Sequence, residues 1–156
     1  MEPVRRFSAG QYAAALESWS WLDLSGKAAL CTSPFGDVFL EASDGVWWLD
    51  VLEGTLTRPW AAREKFAAAL STAAGQEEYL LAGLGLAAEE AGLTPGPSEV
   101  YGFTVPPKIG GPIEVGNVEV VDFVVGMAIT GQIHRQIRDL PDATQIAGFS
   151  VDGSAP

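Results

Sequence analysis

The period of apolar positions changes twice along this chain. Ser8 and Gln11 have the spacing of a capping box, Phe7 lies just before them, and Tyr12 to Leu16 are apolar. The pattern predicts a first helix that begins near Ala9 and ends before Trp19. Between Lys27 and Arg58 the period becomes that of strands: Ala28 to Thr32, Asp37 to Ala42 and Val46 to Val51, broken at Ser33-Pro34 and Asp44-Gly45. These read as an antiparallel meander, with Asp44-Gly45 as a tight hairpin turn requiring positive φ. The runs Val38-Phe39-Leu40 and Val46-Trp47-Trp48-Leu49 are apolar without alternation, so both faces of this sheet are expected to be covered. Glu53-Gly54 offers another turn, and Thr55 to Arg58 a fourth strand.

Helical spacing then returns. Pro59 is read as opening a helix from Trp60 to Leu70, and Ser71 to Gly75 as ending it. A second helix is expected from Gln76 to Ala91, weakened by Gly83 and Gly85 and capped by Gly92. Leu93 to Pro97 connects elements rather than domains. Glu99 to Val105 is extended, Pro106-Pro107 with Gly110-Gly111-Pro112 forms a rigid loop, and Val115 to Val121 is a further strand. Asp122 caps a closing helix over about Phe123 to Arg138, stopped at Leu140-Pro141, and the tail from Gln145 to Pro156 is expected to fray. The fold class is α+β: a single domain over 1–156, with helices packed on an antiparallel meander that a later strand joins.

Composition narrows the function. Nine Lys and Arg stand against 20 Asp and Glu, a formal charge of -11. Phosphate backbones would be repelled, so direct nucleic-acid binding is disfavoured, whereas a basic protein would be steered in. One cysteine, Cys31, and one histidine, His134, make no ligand cluster for zinc or a redox metal, and no cofactor is expected. No segment approaches the roughly 18 uninterrupted apolar residues of a membrane span, and the N-terminus has no apolar leader, so a cytoplasmic protein is expected.

Catalytic signatures are missing: there is no G-x-S-x-G elbow, P-loop, dinucleotide fingerprint or H-E-x-x-H. Cys31 falls in an apolar strand and reads as an inert core thiol. Glu41, Asp44, Asp50 and Glu53 follow no EF-hand spacing and read as a solvated sheet edge. Trp47-Trp48 is more informative, because neighbours on a strand point to opposite faces and one of the two is available to a second layer or a partner. With Asp44, Asp50 and Glu53 they form the candidate contact surface: an aromatic anchor with an acidic rim. In the closing helix, Gly126 and Gly131 imply close approach of a neighbour, and Gln132 and His134 read as interior polar groups needing partners from the Pro106 to Pro112 loop or the sheet.

The stretch Glu99 to Pro141 resembles the C-terminal domain of the Tdi1-type immunity proteins of type VI secretion. The resemblance rests on Tyr101-Gly102-Phe103, Pro106-Pro107, Gly110-Gly111, Asn117 to Val120 and Gly131 to His134 in that order. Upstream, Phe35 to Leu56 is similar to the same domain's first hairpin and Gly75 to Leu93 to its central helix, so the resemblance covers most of 35–141. It implies a stand-alone copy of that domain, acting stoichiometrically and without catalysis to neutralise a nuclease effector, typically of the Ntox15 DNase class. Two rivals stay open. One is a regulatory binding module without a toxin; the other is an enzyme, favoured only if His134, Cys31 and acidic residues converge in a pocket.

Overall fold

The capping box forms as the sequence predicts: Gln11 N donates to Ser8 Oγ at 3.1 Å and Ser8 N to Gln11 Oε1 at 2.9 Å. Two donors that a helix start leaves open are thereby satisfied. Helix α1 (Ala9–Leu16) follows and closes on a 3-10 turn, Glu17–Trp19, whose Trp19 ring is fully buried. These coordinates are a computed structural model describing residues 3–140; the tail from Gln145 to Pro156 lies outside the described residues.

Strands β1 (Ala28–Thr32), β2 (Val38–Ala42), β3 (Gly45–Asp50) and β4 (Thr55–Trp60) form an antiparallel meander in that order. The β2–β3 hairpin turns over Ser43 and Asp44, with Ala42 opposite Gly45. Gly45 alone of that pair takes positive φ, 136°, and a Cβ there would stand 2.3 Å from the Trp60 carbonyl oxygen. Pro59 opens no helix: it lies in β4, where the pairing slips between Val46–Trp60 and Trp48–Thr57. An edge strand with a bulge is where a residue without an N–H does no damage.

Both faces of the meander are covered, as the unbroken apolar runs imply. One face, with Val38, Leu40 and Leu49, packs on Tyr12, Ala15, Trp19, Phe123 and Met127. The other, with Cys31, Phe39 and Val46, packs on Trp60, Phe66 and Leu80. Phe66 belongs to helix α2 (Arg63–Leu70), and Leu80 ends α3 (Ala73–Leu80), which Thr72 caps by accepting from Gly75 N at 3.0 Å.

The helix expected over Gln76 to Ala91 is two helices. Leu81 takes φ 51° and ψ 48°, and α4 (Ala82–Glu90) starts from it in a new direction. A left-handed leucine costs about 1 kcal/mol; burial of Leu81 and Leu84 against Phe35, Ala88 and Tyr101 offsets it. Gly92, φ 90°, ends α4 as expected.

Strands β5 (Glu99–Phe103) and β6 (Val118–Asp122) pair antiparallel. The late strand therefore starts at Val118, not Val115, and forms a separate two-stranded sheet rather than extending the meander. The sheets meet where Tyr101 N donates to the Pro34 carbonyl at 2.8 Å and Phe35 packs on Tyr101 and Phe103. Asp122 caps α5 (Phe123–Ile137), accepting from Val125 N at 2.9 Å. Gly131 gives α5 its close approach: a Cβ there would come within 2.7 Å of Ser18 O and 2.9 Å of Trp19 Nε1. At Gly126 the nearest obstacle is a Val121 methyl at 3.0 Å.

Candidate functional site

The five residues of the expected contact surface lie at two ends of β3 and on both its faces. At one end Trp47 Nε1 donates to Asp44 Oδ1 at 2.9 Å, Lys27 Nζ stands 4.3 Å from the Trp47 ring centroid, and Arg58 Nε lies 3.9 Å from Asp44. The half-buried Trp47 ring is thus covered by a cation of its own chain. Trp48, on the opposite face, packs edge-on to Tyr79 at 4.9 Å. Its Nε1 is buried with no well-formed hydrogen bond, although it lies close enough to Asp37 to favour that carboxylate. At the other end of β3, Asp50 Oδ1 accepts from Leu52 N at 3.0 Å and Glu53 N at 3.2 Å, which shapes the turn into β4. Glu53 pairs there with Lys108 at 3.1 Å.

A buried acid that the sequence reading passed over lies beneath that turn. Asp37 Oδ1 accepts from Val51 N at 2.8 Å, and Ser33 Oγ donates to Asp37 Oδ2 at 3.2 Å while receiving Asp37 N at 3.1 Å. Burial, then the charge of Asp50, pushes the Asp37 carboxyl up from 3.8 to about 7. Asp50 is itself raised, mainly by burial. The only signal in the chain is the spacing Ser33-x-x-x-Asp37 across the β1–β2 turn.

The other peptide group of Val51 belongs to His134. The imidazole Nε2 donates to Val51 O at 2.7 Å, which places the ring proton on Nε2, and burial depresses its pKa. His134 therefore meets the sheet end, as the need for a partner implied. Its Nδ1 edge faces Gly54, φ 71°, where a Cβ would stand 2.5 Å away. Gln132 points elsewhere, into the groove between the Glu17–Trp19 turn and α5.

The Pro106 to Pro112 loop is tied down by one buried side chain. Asn117 Oδ1 accepts from Val105 N at 2.9 Å, and its Nδ2 donates to Val105 O at 2.8 Å and Pro112 O at 3.0 Å. A side-chain amide here imitates a strand partner. A 3-10 turn at Pro107–Ile109 ends on Gly110 with φ 102°, and a Cβ on Gly111 would lie 1.8 Å from Val105 O. The loop's paired prolines and glycines thus enforce one tight shape.

Cys31 and His134, on which an enzyme reading would rest, do not converge in a pocket. Cys31 lies among Phe39, Val46 and Phe66, with its thiol pushed up to about 11 by burial, and His134 lies beyond the other face of the meander. The hollow beside His134, bounded by Phe35, Phe103, Pro106 and Pro107, has about 60 Å³, below the roughly 300 Å³ of a small ligand site. Among the described residues no group of three His, Cys, Asp or Glu could hold a metal ion, and no helix is long and apolar enough to cross a membrane.

Comparison with known proteins adds a family. Residues 61–134 match the model described as "T6SS immunity protein Tdi1, C-terminal". The matched stretch starts just after β4 and runs through α2, α3, α4, the second sheet and its loop to His134 in α5. The Phe35 to Leu56 hairpin lies outside it. No curated protein matches, and no solved structure does. A family of immunity proteins points to a protein that acts by binding rather than by catalysis. Over residues 61–134, this chain is similar to the C-terminal domain of the Tdi1 family of type VI secretion immunity proteins.

Proposed function

We propose that this protein binds and neutralises a cognate nuclease effector of type VI secretion. The family match carries the reading, and the charge of -11 supports it: a nuclease holds phosphate on a basic surface, which an acidic protein can occupy. The acidic and aromatic residues of β3 and its turns, Asp44, Trp47, Trp48, Asp50 and Glu53, are the proposed contact surface. Within it the Trp48, Asp50 and Glu53 side is favoured, because Tyr79 and Lys108 tie it to the family-matched segment. The protein acts in the cytoplasm of the cell it protects.

A pull-down of the effector encoded with this chain, washed at low and at high salt, tests the reading. The expected result is retention at low salt and at least tenfold weaker retention at about 1 M salt, where screening is nearly complete. No retention at either salt would overturn it.

A further inference from the structure

Three of the six large apolar side chains exposed among the described residues lie in one short loop: Val105 at 45%, Ile113 at 56% and Val115 at 38%. Their backbone is the one clamped by Asn117, itself 6% exposed, and narrowed by Pro106, Pro107 and Pro112. All three are β-branched, so their rotamers are restricted before any contact is made. Ordering costs that normally reduce affinity have thus been met in folding. Around them the charge is acidic. Glu114 and Glu119 are exposed, and Glu53 stands across Lys108, whose charge it already balances.

We propose that this loop, residues 104–116, adjoins the Glu53 end of the contact surface described above and carries the apolar centre of the toxin-docking site, with Val105, Ile113 and Val115 entering an apolar patch ringed by basic side chains. Glu114 and Glu119 face that basic ring. The proposal rests on the immunity reading above and deepens it. The loop supplies the exposed apolar centre that Trp47 and Trp48, half-buried against their own chain, do not. It also lies wholly inside the family-matched segment, next to the Glu53 end of the meander.

The test is a calorimetric titration of the effector encoded with this chain, in a catalytically inactive form, against wild type, Ile113→Ser with Val115→Ser, and Ala67→Ser on exposed α2. The loop double variant is expected to lose about 100-fold or more in affinity, and Ala67→Ser less than threefold. Thermal melts should coincide, because the replaced side chains are exposed; Ile113→Ala is the milder variant if the double one melts early. Equal binding by wild type and loop variant overturns the docking surface and leaves the immunity reading standing. No binding by wild type overturns both. A wild-type dimer that the loop variant dissolves would make a second copy of this chain the occupant and also overturn the proposal.

Discussion

Asp37→Asn should stabilise the protein at about pH 8 by roughly 2 to 4 kcal/mol and change it by less than about 1 kcal/mol near pH 4. The Asp37 carboxyl has a pKa near 7 in the folded protein and near 3.8 when unfolded, so the folded state holds a proton that the unfolded state has released between those values. Stability contributed by that proton is full below about pH 4 and is lost as pH rises through about 7. An amide keeps the acceptor for Val51 N and carries no charge to desolvate, and the repulsion from Asp50 disappears with it. His134 has the opposite sign: its depressed pKa makes it lose stability as pH falls below about 6.5, because the unfolded imidazole takes up a proton that the buried one resists. The two slopes cancel in part in wild type. Urea unfolding of both proteins across pH therefore has to be compared as a difference, which should grow in the variant's favour up to about pH 7 and then level. A pH-independent difference would place Asp37 in a solvated environment and contradict its burial.

Gly54→Ala should cost about 3 kcal/mol or more. The left-handed backbone accounts for about 1 kcal/mol. The rest comes from the His134 ring, whose Nδ1 and Cγ would lie 2.5 and 2.6 Å from the new methyl. The imidazole cannot retreat without breaking its bond to Val51 O, which would leave a buried donor unpaired at about 1 to 3 kcal/mol. Chemical denaturation of Gly54→Ala, His134→Ala and the double variant separates the two contributions. In the His134→Ala background the Gly54 substitution should cost only the backbone part, a coupling of about 2 kcal/mol. Additive costs would show that the ring and the turn do not constrain one another.

Local chemistry made much of this fold legible, and non-local pairing hid the rest. Ser8, Gly92 and Asp122 act within three or four residues of themselves, and each helix end they mark is present. The meander followed from strand period and turn residues for the same reason. Pro59 misled because proline suits both a helix start and a bulged edge strand, and which one forms depends on whether a neighbouring strand is there. Leu81 carried no sign of a helix break, since its left-handed turn is held by packing on Phe35 and Tyr101 from distant parts of the chain. The pairing of β6 with β5 has no periodic signature either.

The candidate surface shows the same division. Alternation on β3 placed Trp47 and Trp48 on opposite faces correctly, but it could not reveal that Lys27 covers one and Tyr79 flanks the other. The excess of proline and glycine at 106–112 signalled rigidity, whereas the exposure of Val105, Ile113 and Val115 emerged only once the loop was seen folded back on Asn117.

Inhibition measured against stoichiometry addresses the central claim most directly. Under the proposed function, DNA cleavage by the cognate nuclease effector should fall linearly with added protein and vanish near one equivalent, with DNA in excess making little difference once the complex has formed. Full cleavage in the presence of excess protein would contradict the account.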